Sequence, residues 1–215
     1  MPEYVQIQTY ATCTARTFPE VLQQYKEAIE RAGCKDQNVL NWLAQIKWPT
    51  SDDDGFGDIY AAPFALTPAG VAGVECDGME VSLYLNAAVP SLEQPPSWVG
   101  FNLLFALETV KEHAIATYKA GVGGTLWLIM NELAGAFPEP GVYFTDEWQD
   151  NRSWRALTEH VGDPWQFDLA IFPRALANRF EMIPAGFQGT VVEHGFSFAQ
   201  VNRWEKLPWL EVAIA

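Results

Sequence analysis

The chain predicts an α+β fold, an antiparallel or mixed sheet with several packed helices. Three observations carry that reading. Strand-like and helix-like runs interleave without a regular βαβ rhythm. Apolar residues at 49% and aromatic residues at 13% supply ample core material. No internal repeat or low-complexity tract interrupts the chain. Its 215 residues suit one globular domain over 1–215, with the proline-rich stretch PSLEQPPSW at 90–98 as a candidate subdomain connector.

The elements follow in order. YVQIQTY at 4–10 alternates apolar and polar residues, as a half-buried strand does. FPEVLQQYKEAIERA at 18–32 repeats apolar residues at Val21, Leu22, Tyr25, Ala28 and Ile29 and ends before Gly33, which predicts an amphipathic helix. Asn38–Lys47 predicts a shorter helix ended by Trp48-Pro49. The acidic loop SDDDGFGD at 51–58 comes next. VAGVECDGMEVSLYL predicts a β-hairpin turning at Asp77-Gly78, a pair suited to positive φ. Val99–Lys119 has little polar surface and reads as a long buried helix. Glycines at 121, 123 and 124 break the chain before a second apolar helix, Thr125–Phe137. A strand at Gly141–Thr145 and a helix at Ser153–His160, capped by Ser153, follow. Phe167–Phe172 reads as a strand and Arg174–Phe180 as a short helix after Pro173. Gly189–Glu193 and Phe196–Val201 then form a hairpin around His194-Gly195.

Charge is concentrated. The net charge is −14, and residues 51–150 hold 15 acidic residues against only Lys111 and Lys119. A field of one sign repels phosphates and attracts cationic partners, so nucleic-acid binding is not expected. The uncharged run Ile59–Val74 contains Pro63 and Pro68 and is too short for a membrane span. MPEYVQIQTY lacks the basic and apolar regions of a secretory signal. Cys13, Cys34 and Cys76 are odd in number and in no C-x-x-C pattern, so they read as free, mostly buried thiols. A cytoplasmic protein is the expectation.

Motifs for specific chemistry fail on spacing. Neither register of the acidic loop closes a calcium site with a glutamate at position twelve. AGVGGTLW follows a predicted helix and has Leu126 at the third glycine position of a phosphate-binding turn, so its glycines read as a helix stop and a site of close packing. The pairs Glu112-His113, Glu159-His160 and Glu193-His194 are not local metal clamps, and GFSFA lacks the second glycine of a nucleophile elbow. No metal or cofactor is expected.

The stretch VYFTDEWQDNRSW at 142–154 remains. It sets Asp146, Glu147 and Asp150 among Tyr143, Phe144, Trp148 and Trp154. Paired carboxylates beside aromatic rings suit acid/base hydrolysis, with Glu147, Asp150 and Asp168 as its candidate catalytic residues. The plainer reading anchors the rings in the core and leaves the acids in water. The function expected is therefore a non-enzymatic binding protein with an acidic, aromatic-rimmed face for a basic partner, as in immunity or inhibitor proteins. Its candidate contacts are Asp52, Asp53, Asp54, Asp146, Glu147, Trp148 and Asp150. The alternatives are a carboxylate-dependent hydrolase and a self-associating structural subunit.

Overall fold

In the computed structural model, residues 3–48, 59–69, 71, 73–84, 97–113 and 116–212 are described. The acidic loop at 51–58 and most of the connector at 90–98 lie outside them. The fold is α+β. Its strands are β1 (Tyr4–Cys13), β2 (Ile59–Tyr60), β3 (Phe64–Leu66), β4 (Val74–Cys76), β5 (Gly78–Tyr84), β6 (Ser97–Ala106), β7 (Val142–Asp146), β8 (Leu169–Phe172), β9 (Phe187–Val192) and β10 (Gly195–Gln200). The helices are α1 (Phe18–Arg31), α2 (Gln37–Leu43), α3 (Leu107–Val110), α4 (Val122–Ala136), α5 (Arg152–Thr158) and α6 (Pro208–Val212). Eight strands form one antiparallel sheet in the order β2-β5-β6-β1-β7-β8-β10-β9, and β3 and β4 form a separate ribbon.

Strand β1 is the axis of the sheet, and both its faces are covered instead of one. Val5, Ile7, Ala11 and Cys13 meet α1 and α4 in the larger core. The opposite face carries Tyr10 into a second, aromatic core with Tyr143, Trp154, Phe167 and Phe172. Tyr10 stacks on Trp154 at 4.7 Å between centroids, which fixes α5 to this face.

Two expected elements are different. Val99–Lys119 is not a helix: Ser97–Ala106 is a strand paired with β1 and β5, followed only by the single turn α3. A strand buried on both faces reads as a continuous apolar run, which periodicity cannot separate from a buried helix. Gly100 belongs to this strand because a Cβ there would stand 2.7 Å from the Tyr84 ring and 3.3 Å from Tyr10. The hairpin at Asp77-Gly78 is also absent. β4 pairs with β3, whereas β5 pairs with β2 and β6. Asp77-Gly78 is where the chain passes from the ribbon to the main sheet. The glycine is needed because a Cβ would meet the Ala61 carbonyl oxygen at 2.7 Å. The hairpin of β9 and β10 forms as expected.

Gly123 and Gly124 lie inside α4, not ahead of it, and Gly121 is the left-handed residue that precedes the helix. α6 and Trp204 pack so closely that Cβ atoms at Gly123 and Gly124 would each have a neighbour at 3.0 Å. Glu211 of α6 reaches the helix start, where its carboxylate accepts from Gly121 N at 3.3 Å and Gly124 N at 2.6 Å. Two N–H groups without intrahelical partners are satisfied, and a negative charge sits at the positive end of the helix dipole. Cys13, Cys34 and Cys76 are free and buried. Burial pushes the Cys13 and Cys76 thiols up to about 12, which leaves them protonated and poorly nucleophilic. No helix among the described residues is long and apolar enough to cross a membrane.

The α6 clasp makes a checkable statement about stability. Glu211→Ala should cost about 0.5–2 kcal/mol, the range for losing a helix cap, in chemical denaturation. Unchanged stability would show that the clasp contributes nothing to holding α4.

Candidate functional site

The site begins with the alternation of β1. Even-numbered residues from Tyr4 to Thr12 share the face under α5, and the register sets Gln6 between Leu104 and Thr145 and Gln8 between Asn102 and Tyr143. Glu80 lies beside Asn102, and Ser82 beside Gly100. A band of amides, hydroxyls and one carboxylate therefore crosses the middle of the sheet. Gln6, Gln8, Ser82, Asn102 and Thr145 are all buried.

The segment after β7 covers this band. Asp146 caps a 3-10 turn over Glu147–Gln149: its Oδ1 accepts from Trp148 N and Gln149 N, and the Gln149 side chain accepts from Asp146 N. Asn151 then takes a left-handed conformation at φ 56° and starts α5. Asparagine tolerates this backbone better than most residues. It, and not the expected Ser153, is the residue before the helix; Ser153 Oγ instead donates to the Gln166 carbonyl at 2.9 Å.

This path lowers Asp150 and Asn151 onto the sheet. Asp150 Oδ1 accepts from Gln6 Nε2 at 3.0 Å and also from Gln8 Nε2, and its Oδ2 accepts from Asn151 Nδ2 at 3.1 Å. Asn151 Oδ1 accepts from the Tyr84 hydroxyl at 3.1 Å and from Tyr10. Thr145 Oγ1 donates to Gln8 Oε1 at 3.0 Å. Glu80 accepts from Ser82 Oγ at 2.7 Å and faces the Asn102 amide at 3.5 Å. Burial, with Asp150 nearby, raises the Tyr10 and Tyr84 phenols above their ordinary range, so both remain hydroxyl donors.

Two cavities flank this clamp. One, of about 590 Å³, is bounded by Tyr4, Gln6, Pro63 and Leu104, and by the acidic residues Asp77, Glu80, Glu147 and Asp150. Among the described residues, no Lys or Arg lines it. Partial burial and the nearby charges of Glu108 and Glu75 hold the Asp77 carboxyl above its ordinary range. The other, of about 870 Å³, is a mixed-charge cleft with Tyr84, Trp98 and Trp154 on its wall and Arg152 and Arg155 at its margin; Asp150 borders it too. No group of three His, Cys, Asp or Glu residues among the described residues is placed to hold a metal ion.

The sequence-predicted residues thus separate. Glu147 and Asp150 share the acidic cavity. Glu147 Oε1 also accepts from Glu3 N and Tyr4 N at 3.1 Å each, tethering the start of β1. Asp146 is engaged in capping. Trp148 is 66% exposed on the outside of the turn. Asp52, Asp53 and Asp54 lie outside the described residues. Sequence reasoning missed Gln6, Gln8, Asp77, Glu80, Asn102 and Asn151. The available signal was two glutamines in alternation within an otherwise apolar strand.

Asp168 belongs to a different environment. It is fully buried just before β8, and the cavity lined by Glu147 and Asp150 does not include it. Its carboxylate accepts from Tyr118 OH at 2.6 Å and pairs with Arg203 Nε at 3.2 Å; Lys111 Nζ stands 4.0 Å away and 4.1 Å from the Tyr118 ring centroid. Burial pushes the Asp168 carboxyl up, while Arg203, Tyr118 and Lys111 pull it down. Burial likewise lowers the Lys111 ammonium, opposed by Asp168. The group joins β8 to the segment after α3 and to the C-terminal stretch around Trp204. Comparison with protein-family models, with curated proteins and with solved structures gives no match.

Asp168→Ala should therefore act on folding before any chemistry. It leaves Lys111 and Arg203 facing one another without their anion, and a loss of about 3–5 kcal/mol is expected from urea denaturation. A variant of wild-type stability would show that the cluster is not structural.

Proposed function

We propose that this chain is a non-enzymatic cytosolic binding protein whose acidic cavity receives basic side chains of a partner protein. One observation carries the reading: Asp77, Glu80, Glu147 and Asp150 line a single cavity with no lysine or arginine among its described lining residues. Acidic residues gathered round one cavity give it a negative potential, and a cation entering it is attracted. Gln6 and Tyr4 add polar and aromatic surface suited to the stem and head of a long basic side chain. The concentration of acidic residues in 51–150 adds a longer-range field that steers such a partner toward this side. Immunity proteins and inhibitors of basic enzymes use the same physics and form one class within this reading.

Hydrolysis finds less support. Glu147 and Asp168 do not line the same cavity. Asp150 accepts hydrogen bonds from Gln6, Gln8 and Asn151, which claim the oxygen lone pairs that a base or nucleophile would use.

The test is charge reversal within the cavity. Asp77→Lys combined with Glu147→Lys should slow association with a lysine- and arginine-rich peptide by about tenfold or more at low salt. The conservative pair Asp77→Glu with Glu147→Asp should leave it nearly unchanged. Affinity for the peptide should fall as pH drops, starting above the ordinary carboxylate range because Asp77 protonates early. Pull-downs from native lysate with wild-type and reversed protein complete the experiment; identical partner lists would overturn the reading. So would turnover of any substrate abolished by Glu147→Gln with binding intact.

A further inference from the structure

Strand β9 ends the sheet, and its hydrogen-bonding parity can be read from two bonds. Gln200 N donates to Asp168 O at 3.0 Å, so even-numbered residues of β10 turn toward β8 and odd-numbered ones toward β9. Val201 N donates to Gly186 O at 2.7 Å, which with the register puts residues 188, 190 and 192 into the bonded pairs with β10. Gly189 and Val191 therefore turn both N–H and C=O outward. Among the described residues no hydrogen bond reaches these groups.

Such an edge is normally blunted by a charge, a proline, a bulge or mere shortness. The opposite edge, β2, is two residues long. β9 runs for six residues, FQGTVV, with none of these devices and none of its residues buried. Val191 is 68% exposed.

We propose that β9 pairs with β9 of a second copy, antiparallel about a two-fold axis, so that two sheets join into one. Charge identifies the occupant. Copies carrying −14 each repel, but β9 and its neighbour β10 hold no charged residue. An uncharged edge suits a like copy, whereas a basic partner is drawn to the other half. Parity narrows the register. Outward-turned residues must face each other, and among the registers that allow this the side chains favour Gly189 against Val191 of the second copy, with Thr190 on the axis against its counterpart. Roughly four main-chain hydrogen bonds result. The side chains agree. A Cβ at Gly189 would stand 2.6 Å from the Phe198 ring. The bare glycine thus lets the Phe198 ring lie over this position, and Val191 of the second copy packs beside it.

Sedimentation velocity with the full chain tests the pairing. The wild type should move from its 24.0 kDa monomer mass toward twice that as concentration rises. Association should strengthen with salt, because salt screens the repulsion between two acidic copies. Val191→Pro removes an outward N–H and no bond to β10, so the fold persists and the dimer is lost. Val191→Lys should weaken dimerisation at least about tenfold by placing a charge on the edge; near-UV circular dichroism checks that both variants are folded. A wild type that stays monomeric across concentration and salt overturns the proposal. A dimer that survives both substitutions overturns it as well.

Discussion

Two glutamine side chains buried in the central strand are the constraint on which this molecule depends. Gln6 and Gln8 lie mid-sheet, and a buried amide without partners costs about 1–3 kcal/mol. Leu104 on one flank of Gln6 offers its amide no side-chain acceptor. The acceptor comes instead from Asp150, more than a hundred residues along the chain. To reach it, the backbone after β7 must make a tight 3-10 turn and pass through a left-handed Asn151. That path delivers Trp154 to stack on Tyr10 and sets Asp150 as the wall between two cavities. Core satisfaction and cavity formation are thus one event.

This coupling has a consequence for the acidic field. Carboxylates scattered along a chain repel and spread across a surface unless something holds them together. Here Asp150 is held by amides, Glu147 by two backbone N–H groups, and Glu80 by Ser82 on the neighbouring position of its own strand face. Each has part of its charge balanced by fixed donors, which lets the residual negative potential stay focused on one cavity. The sheet separates this region from the uncharged edge at β9 by several strand widths. A partner recognised by charge and a partner recognised by main-chain pairing would therefore not compete for the same surface.

Much of the fold was legible in the sequence, for physical reasons that differ by element. α1 declared itself because one apolar stripe faces a core and the other faces water. The hairpin of β9 and β10 declared itself because β-rich runs flank a glycine. β6 was hidden, since burial on both faces erases the alternation that marks a strand. Asp77-Gly78 misled for a related reason: the dipeptide records a local backbone need, and a close approach of Ala61 creates the same need as a hairpin turn. The site was half legible. Glu147 and Asp150 stood out as acids among aromatics. Their partners did not, because Glu80, Asn102 and Gln8 meet only through strand register, which sequence leaves open.

The three carboxylates singled out from sequence end in three environments, and the difference lies in who donates to them. Asp168 is enclosed by a tyrosine, an arginine and a lysine, so its charge serves to join distant segments where no solvent reaches. Asp150 is divided: one side satisfies the buried amides, and the residue as a whole remains exposed at the cavity. Glu147 is a surface group with one oxygen on the backbone of β1. A general acid needs a proton held by an apolar setting, and a nucleophile needs an unencumbered oxygen beside a substrate. Fixed donors work against a nucleophile, since they claim its lone pairs. The same donors favour recognition, because a carboxylate held rigid loses little conformational freedom when a cation arrives. An acidic cavity built this way is better prepared to hold a charge than to move a proton.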